Sequence, residues 1–245
     1  MKIADNIEIF DLALYLIKEK TLVFADFHIG YEEALNKEGV LIPRFQLKET
    51  LERLERIFLN LKKNKKEINK IIVNGDLKHE FGTISEQEWR DALKLLDFLN
   101  KYCKEIVLIK GNHDTILGPI ADKRNLEIIN FLKINGILII HGDKTNKNIE
   151  ILIKKSKIIV IAHEHPAVSL KEGGRVETFK CFLKGKYKKK TLIVQPSFNL
   201  VTEGADVAKE KLLSPFLQQK LDDFEVYVIA DKVYYFERLK NIVKF

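Results

Sequence analysis

Six histidines occur in the chain, and each lies at or a few residues beyond the end of a short apolar run: His28, His79, His113, His141, His163 and His165. Aspartates and an asparagine accompany them. Leu22-Val23-Phe24-Ala25 is followed by Asp26 and His28, and Ile71-Ile72-Val73 leads to Asn74, Gly75 and Asp76. Ile106–Ile109 leads to Lys110, Gly111, Asn112, His113 and Asp114. Ile137–Ile140 ends at His141, and Ile158–Ile161 leads through Ala162 to His163, Glu164 and His165. Imidazole, carboxylate and amide oxygen are the donors that divalent transition-metal ions take. Singly, each signal is weak. A lone histidine at a strand end is more often a hydrogen-bonded structural residue, and Gly111-Asn112-His113-Asp114 reads equally well as a turn, since Gly and Asn tolerate positive φ. The conjunction points to a metal site, because ligands in α/β sheets bind beyond the carboxyl ends of the strands.

The elements that must position these residues are short and apolar. Residues 7–10, 12–17 and 21–25 read as strands, as do the four isoleucine-rich runs. A helix is predicted from about Arg44 to Lys62, with Leu47, Leu51, Leu54, Ile57, Phe58 and Leu61 at helical spacing. Ser85-Glu86-Gln87-Glu88 has the form of a capping box opening a second helix, whose apolar face would carry Trp89, Leu93, Leu96 and Leu99. From Ala167 onward the pattern changes to strands and hairpins. Lys184–Lys190 reads as a polar tip, Phe224–Ala230 as pairing with Val233–Glu237, and Val207–Gln219 as a helix interrupted by Pro215. Alternating strands and helices followed by strands predict an α/β fold of mixed sheets packed as a sandwich. No repeat and no Gly/Ser- or Pro-rich linker divides residues 1–245, so a single domain is expected.

Composition narrows the class. A hydrophobic share of 46% supports a sizeable core and argues against a disordered chain. The net charge of +7 attracts polyanions. Two cysteines, Cys103 and Cys181, form no disulfide framework and fit a reducing compartment. No apolar run approaches the ~18 residues of a membrane helix. Asp5, Glu8 and Asp11 interrupt the stretch a signal peptide would keep apolar, so a cytoplasmic protein without membrane contact is expected.

Taken in order, Asp-x-His, Gly-Asp, Gly-Asn-His-Asp, His-Gly and His-x-His resemble the motifs of the calcineurin-like metallophosphoesterase superfamily over about residues 22–165. Ala25-Asp26-Phe27-His28-Ile29-Gly30 and Gly75-Asp76-Leu77-Lys78-His79 are similar to its SbcD-related branch, which includes repair nucleases. The resemblance implies two mixed β-sheets packed with helices outside, in four αββα layers. It also implies a dinuclear site with Asp26, His28, Asp76 and His165 on one metal ion, and Asp76, Asn112, His141 and His163 on the other. His113 would be the acid that protonates the leaving group, with Asp114 orienting its ring and His79 contacting the phosphate. Ala162 stands where many members have glycine, and no long C-terminal capping region for DNA follows.

Two divalent ions set against two aspartates and a bridging hydroxide leave the site at about +1, which suits an anionic phosphoester. Imidazole-rich ligation favours manganese, with iron or zinc as alternatives, over magnesium or calcium. The activity implied is metal-dependent hydrolysis of a phosphodiester, DNA being one candidate. The alternatives are a phosphodiesterase or phosphatase acting on a small metabolite, and a non-catalytic binding scaffold on the same fold. Partners implied are the phosphoester substrate, with nucleic acid and a second copy of the chain as candidates.

Other features have bland readings. Lys184, Lys186, Lys188, Lys189 and Lys190 suit a solvated hairpin tip better than a nucleic-acid contact. Arg44 reads as a surface residue, Trp89 as core, and Cys103 and Cys181 as small hydrophobes. Gln195-Pro196-Ser197 follows a strand and is a weak candidate for the border of the site.

Overall fold

A computed structural model describes residues 1–82 and 84–242. The described chain divides into two units, residues 1–130 with 198–202 and residues 131–197 with those from 203 onward.

The first unit opens with an antiparallel meander of β1 (Lys2–Ala4), β2 (Ile7–Phe10), β3 (Ala13–Leu16) and β4 (Thr21–Phe24). It continues in parallel through β5 (Lys70–Asn74), β6 (Ile106–Ile109) and β7 (Glu127–Ile129), giving a seven-stranded mixed sheet in the order β1 to β7. The crossovers carry α1 (Tyr31–Lys37), α2 (Gln46–Lys63), α3 (Glu86–Tyr102) and α4 (Gly118–Asp122). β4, β5 and β6 are apolar at almost every position, the pattern of parallel strands covered on both faces. Their register pairs Phe24 with Val73 and Val73 with Leu108, so the three carboxyl ends finish level.

Both long helices form where expected. The buried face of α2 is Gln46, Thr50, Leu54, Ile57, Phe58 and Leu61, so its first two positions are polar. In α3, Ser85 is the N-cap and its hydroxyl accepts the Glu88 N–H at 3.1 Å. Its buried face runs through Glu88, Asp91, Ala92, Leu95, Leu96 and Leu99. Two acids thus occupy the first turns of that face, and Trp89 and Leu93, expected there, are only half-buried.

The second unit is a nine-stranded mixed sheet. Its strands are β8 (Leu132–Ile134), β9 (Ile137–Ile139), β10 (Ile158–Ile161), β11 (Pro166–Glu172), β12 (Arg175–Tyr187), β13 (Lys190–Val194), β14 (Ala205–Asp206), β15 (Glu225–Ile229) and β16 (Val233–Arg238). α5 (Lys147–Lys154) joins β9 to β10, and the short α6 (Leu239–Ile242) follows β16. β9, β10 and β13 are parallel neighbours, and β15 with β16 forms the expected antiparallel hairpin. Leu138, Ile159, Ile161, Leu192 and Val194 from these strands pack with Ile153 of α5 in one core.

Two expectations are corrected here. The lysine-rich segment is mostly strand: β12 runs to Tyr187, β13 starts at Lys190, and only Lys188 and Lys189 turn, both at positive φ, as a two-residue hairpin of the primed type requires. Lys184 pairs with Glu225 at 3.0 Å and Lys188 with Glu150 at 2.7 Å, in keeping with the bland reading. Residues 207–219 form turns rather than a helix. Pro215 removes a donor from that stretch, and the N–H groups of Leu213 and Ser214 are taken by the Glu164 carboxylate instead of by a helical ladder. The α/β class with two mixed sheets is as expected, and among the described residues no helix is long and apolar enough to cross a membrane.

Candidate metal centre

In the first unit three parallel strands deliver three loops to one sheet edge. Beyond β4, Phe27 is fully buried between Asp26 and His28, with its ring 5.7 Å from Phe24 and 4.8 Å from Phe198. That anchor fixes the loop from below. From the side, Phe198 N–H donates to Ala25 O at 2.8 Å and Asn199 N–H to Asp26 O at 3.0 Å. Asp26 N–H donates to Gly75 O and His28 N–H to Asp76 O, which ties the loop to the end of β5.

The backbone at the donors is strained. Asp26 (φ 52°), His28 (φ 45°), Asp76 (φ 47°), His163 (φ 67°) and His165 (φ 50°) all lie in the left-handed region. Side chains other than glycine rarely adopt it, and such strain gathers at functional sites. Five of the seven expected ligands share this feature, and nothing in the residue pattern announces it.

The His28 Nε2 and Asp76 Oδ2 atoms face each other at 3.6 Å, with both side chains at most 4% exposed. Asp76 Oδ1 accepts the His113 N–H at 2.9 Å. Asp26 is also fully buried. Buried carboxylates require compensating positive charge. A divalent ion supplies it, and 3.6 Å is a separation that two donors bonded to one ion at about 2.0–2.2 Å span. The donor set therefore fits a metal ion. Gly111 completes the cradle: a Cβ there would fall 2.1 Å from Asp76 Oδ1 and 2.5 Å from Asp76 N, so only glycine lets the loop beyond β6 pass.

Two further imidazoles gather beside this pair. His28 Nδ1 and His79 Nδ1 lie 3.2 Å apart, and the His113 ring centroid is 4.7 Å from that of His28 and 5.2 Å from that of His79. Burial, reinforced by His113, lowers the His79 ring to about 4. His113 Nδ1 bonds the main-chain carbonyl of His79. That carbonyl holds the ring from one side, and Asp114 Oδ2 accepts the Gly111 N–H at 3.0 Å and braces the loop. Asn112 lies half-buried in the same loop.

In the second unit β9 leads to His141 and β10 leads to His163 and His165. The His141 and His163 ring centroids are 5.0 Å apart, and Ala162 N–H donates to His141 O at 2.8 Å. Ala162 is outside the left-handed region, so it stands in for glycine without strain. Glu164, buried between the two histidines, accepts Leu213 N–H and Ser214 N–H at 2.9 and 2.7 Å. Burial raises its carboxyl above the usual range, offset in part by those two N–H groups. Ser197 Oγ accepts from Lys180 Nζ at 2.9 Å, both side chains being buried.

Four supporting residues escaped sequence reasoning. Gln46 Nε2 donates to His28 O at 2.8 Å while its Oε1 accepts Gly30 N–H at 3.2 Å. The Glu32 carboxylate accepts the Gln46 N–H at 2.9 Å. Glu88 Oε1 accepts the N–H groups of both His79 and Glu80. Lys78 Nζ donates to the carbonyls of Glu80 and His113. Gln46 could have been found, because it opens the helical stripe that Thr50 and Leu54 continue. Arg44, by contrast, is an exposed partner of Glu33.

A comparison with curated proteins gives no match. Among solved structures, the chain is similar to the Pseudomonas putida nuclease MPE, with a TM-score of 0.62 and 20% identity over 93% of this chain and 92% of that one, a likeness of fold. It is also aligned with the Escherichia coli phosphoesterase Yfce (TM-score 0.43, 13% identity, 89% and 97% of the two chains). A third alignment is with Vacuolar Protein Sorting 29 from Cryptosporidium parvum (TM-score 0.39, 14% identity, 89% and 97%). The family model of calcineurin-like phosphoesterases matches residues 19–201, three quarters of the chain, and the chain belongs to that family.

Proposed function

We propose that the chain is a metal-dependent phosphodiesterase of the SbcD-related kind, a single catalytic domain acting in the cytoplasm, with DNA as the leading substrate class. Asp26, His28, Asp76, Asn112, His141, His163 and His165 would hold two divalent ions, with manganese preferred because imidazole nitrogens mixed with carboxylate and amide oxygens suit it, like iron or zinc, better than magnesium or calcium. The observation that carries this reading is the pairing of His28 Nε2 with Asp76 Oδ2 at 3.6 Å, directly beside the His79 and His113 rings. A metal-binding edge and two proton-carrying rings then address the same small volume.

Bound there, divalent ions would lower the pKa of a coordinated water toward ~7 and offset charge on the phosphoryl oxygens. The chain's own residues manage the protons. If His28 keeps Nε2 free for a metal, its proton sits on Nδ1 and donates to His79 Nδ1. That leaves the single proton of a neutral His79 on Nε2, where it can donate to a phosphoryl oxygen. His113 Nδ1 is engaged by the His79 carbonyl, so Nε2 is the atom that delivers a proton to the leaving oxygen, a step worth typically ~10²–10⁴-fold.

The test is one substrate panel with added manganese: a phosphomonoester, a generic phosphodiester, cyclic nucleotides, and single- and double-stranded DNA. Metal-dependent DNA cleavage that is lost in His79→Ala supports the proposal. Turnover of small diesters or monoesters with DNA untouched would replace it with a metabolite enzyme. No turnover by a folded protein that takes up no manganese would leave a scaffold.

A further inference from the structure

The side chain of Phe81 is not used by the chemistry above, yet it lies against the acid. Its ring centroid is 3.8 Å from that of His113, with the planes inclined by 32°. One face of the phenyl ring therefore covers the imidazole, while the residue remains 54% exposed. An isolated exposed phenylalanine needs no explanation. This one is held in place from several sides. Its carbonyl accepts the Thr115 hydroxyl. Just before it, the His79 and Glu80 N–H groups are bound by Glu88, and the Glu80 carbonyl by Lys78. The Glu80 carboxylate is paired with Lys37 at 3.1 Å, which reduces its repulsion of a phosphate.

We propose that Phe81 is a stacking platform for the nucleobase on the leaving-group side of the scissile phosphate. This makes the substrate class a nucleotide-bearing phosphodiester whose base is unpaired, in a single strand or at a strand end. The proposal rests on the reading of His113 as the acid that protonates the leaving oxygen. The sugar and base attached to that oxygen extend beyond His113, and Phe81 is the aromatic surface packed on that ring. Stacking on an aromatic side chain is tolerant of sequence because every base has a π-face. A base inside a duplex has both faces occupied by its neighbours and must leave the stack first.

The experiment compares wild type, Phe81→Ala and Phe81→Trp, each loaded with manganese. The substrates are a dinucleoside monophosphate and two analogues that lack one base, on either side of the phosphate. Phe81→Ala is expected to lower kcat/KM about tenfold for the intact diester, within the range that one stacked base supplies. It should have no effect on the analogue lacking the leaving-side base, and Phe81→Trp should retain wild-type rates. The released alcohol identifies the leaving side. An equal loss on all three substrates would show that Phe81 only covers His113 and would overturn the platform, as would cleavage within a covalently closed duplex as fast as within a single strand. Calorimetry separates this from the phosphodiesterase reading. If no diester is cleaved, that reading fails, while the platform still requires that thymidine monophosphate bind tighter than deoxyribose 5-phosphate, by a margin lost in Phe81→Ala. Equal affinities would end it.

Discussion

Lys78 Nζ donates to the main-chain carbonyl of His113 across 2.8 Å, although no part of Lys78 reaches solvent. A buried ammonium thereby joins the loop beyond β5, which carries Asp76 and His79, to the loop beyond β6, which carries Asn112 and His113. Lys78→Met keeps the length of the stem and removes both charge-assisted bonds, each worth about 1.5–3 kcal/mol. Unfolding in urea should show a loss of about 2–4 kcal/mol. Because His113 would lose its support while the metal-binding side chains remain, kcat should fall about 10- to 100-fold with KM little changed. Wild-type kcat in a folded Lys78→Met protein would show that the cross-link only stabilises the fold.

Glu88 holds the same segment from the other side. Its Oε1 accepts the His79 N–H at 2.8 Å and the Glu80 N–H at 2.9 Å. Burial raises its carboxyl above the usual range. Glu88→Ala strands two amide donors, at about 1–3 kcal/mol each. Glu88→Gln keeps an acceptor oxygen and should cost less than half as much. Thermal unfolding of the two variants gives the order directly, and equal losses would show that packing, not hydrogen bonding, is what Glu88 contributes.

The contrast between Glu88 and Asp26 shows where the sequence could be read and where it could not. Asp26, His28, Asp76, Asn112, His113, His141, His163 and His165 were legible as candidates because each stands after an apolar run, and strand ends position ligands by a general rule. Ser85 was legible as a cap. Glu88 was legible only as the last residue of that capping box, whereas its carboxylate binds the His79 and Glu80 amides, a partnership set by tertiary folding. The missing helix over residues 207–219 has the same origin: Glu164, some fifty residues earlier, satisfies the N–H groups of Leu213 and Ser214. The left-handed backbone at Asp26, His28 and Asp76 leaves no mark in residue type beyond the tolerance of Asp and His for it. Trp89 misled because hydrophobic size suggested the core while Glu88 and Asp91 took the buried face of α3.

Gly111 is needed for space rather than for its backbone angles. A methyl group at this position would sit 2.1 Å from Asp76 Oδ1. Neither partner can yield easily, since Asp76 is itself held by the loop beyond β4 and by the His113 N–H. Gly111→Ala should cost about 1–3 kcal/mol in stability, as overpacking does. It should also weaken manganese binding at least tenfold in calorimetry, because Asp76 must move. Retention of wild-type affinity would mean that the Asp76 carboxylate does not contribute to the metal site.

Manganese itself supplies the last and most direct test. Asp26 and Asp76 are buried carboxylates, so an ion that binds between them and His28 should stabilise the folded protein. At one hundred times its dissociation constant a ligand adds about 2.7 kcal/mol. The melting temperature of the wild type should therefore rise with manganese and fall back with a chelator. Asp76→Asn removes a negative charge from the expected bridging position, and it should abolish both the shift and all hydrolysis. His113→Ala leaves every expected ligand in place, so it should keep the full shift and lose only turnover. The pair of variants separates two jobs assigned to neighbouring residues. If His113→Ala lost the manganese shift while Asp76→Asn kept it, the acid and the ligand would have been assigned the wrong way round.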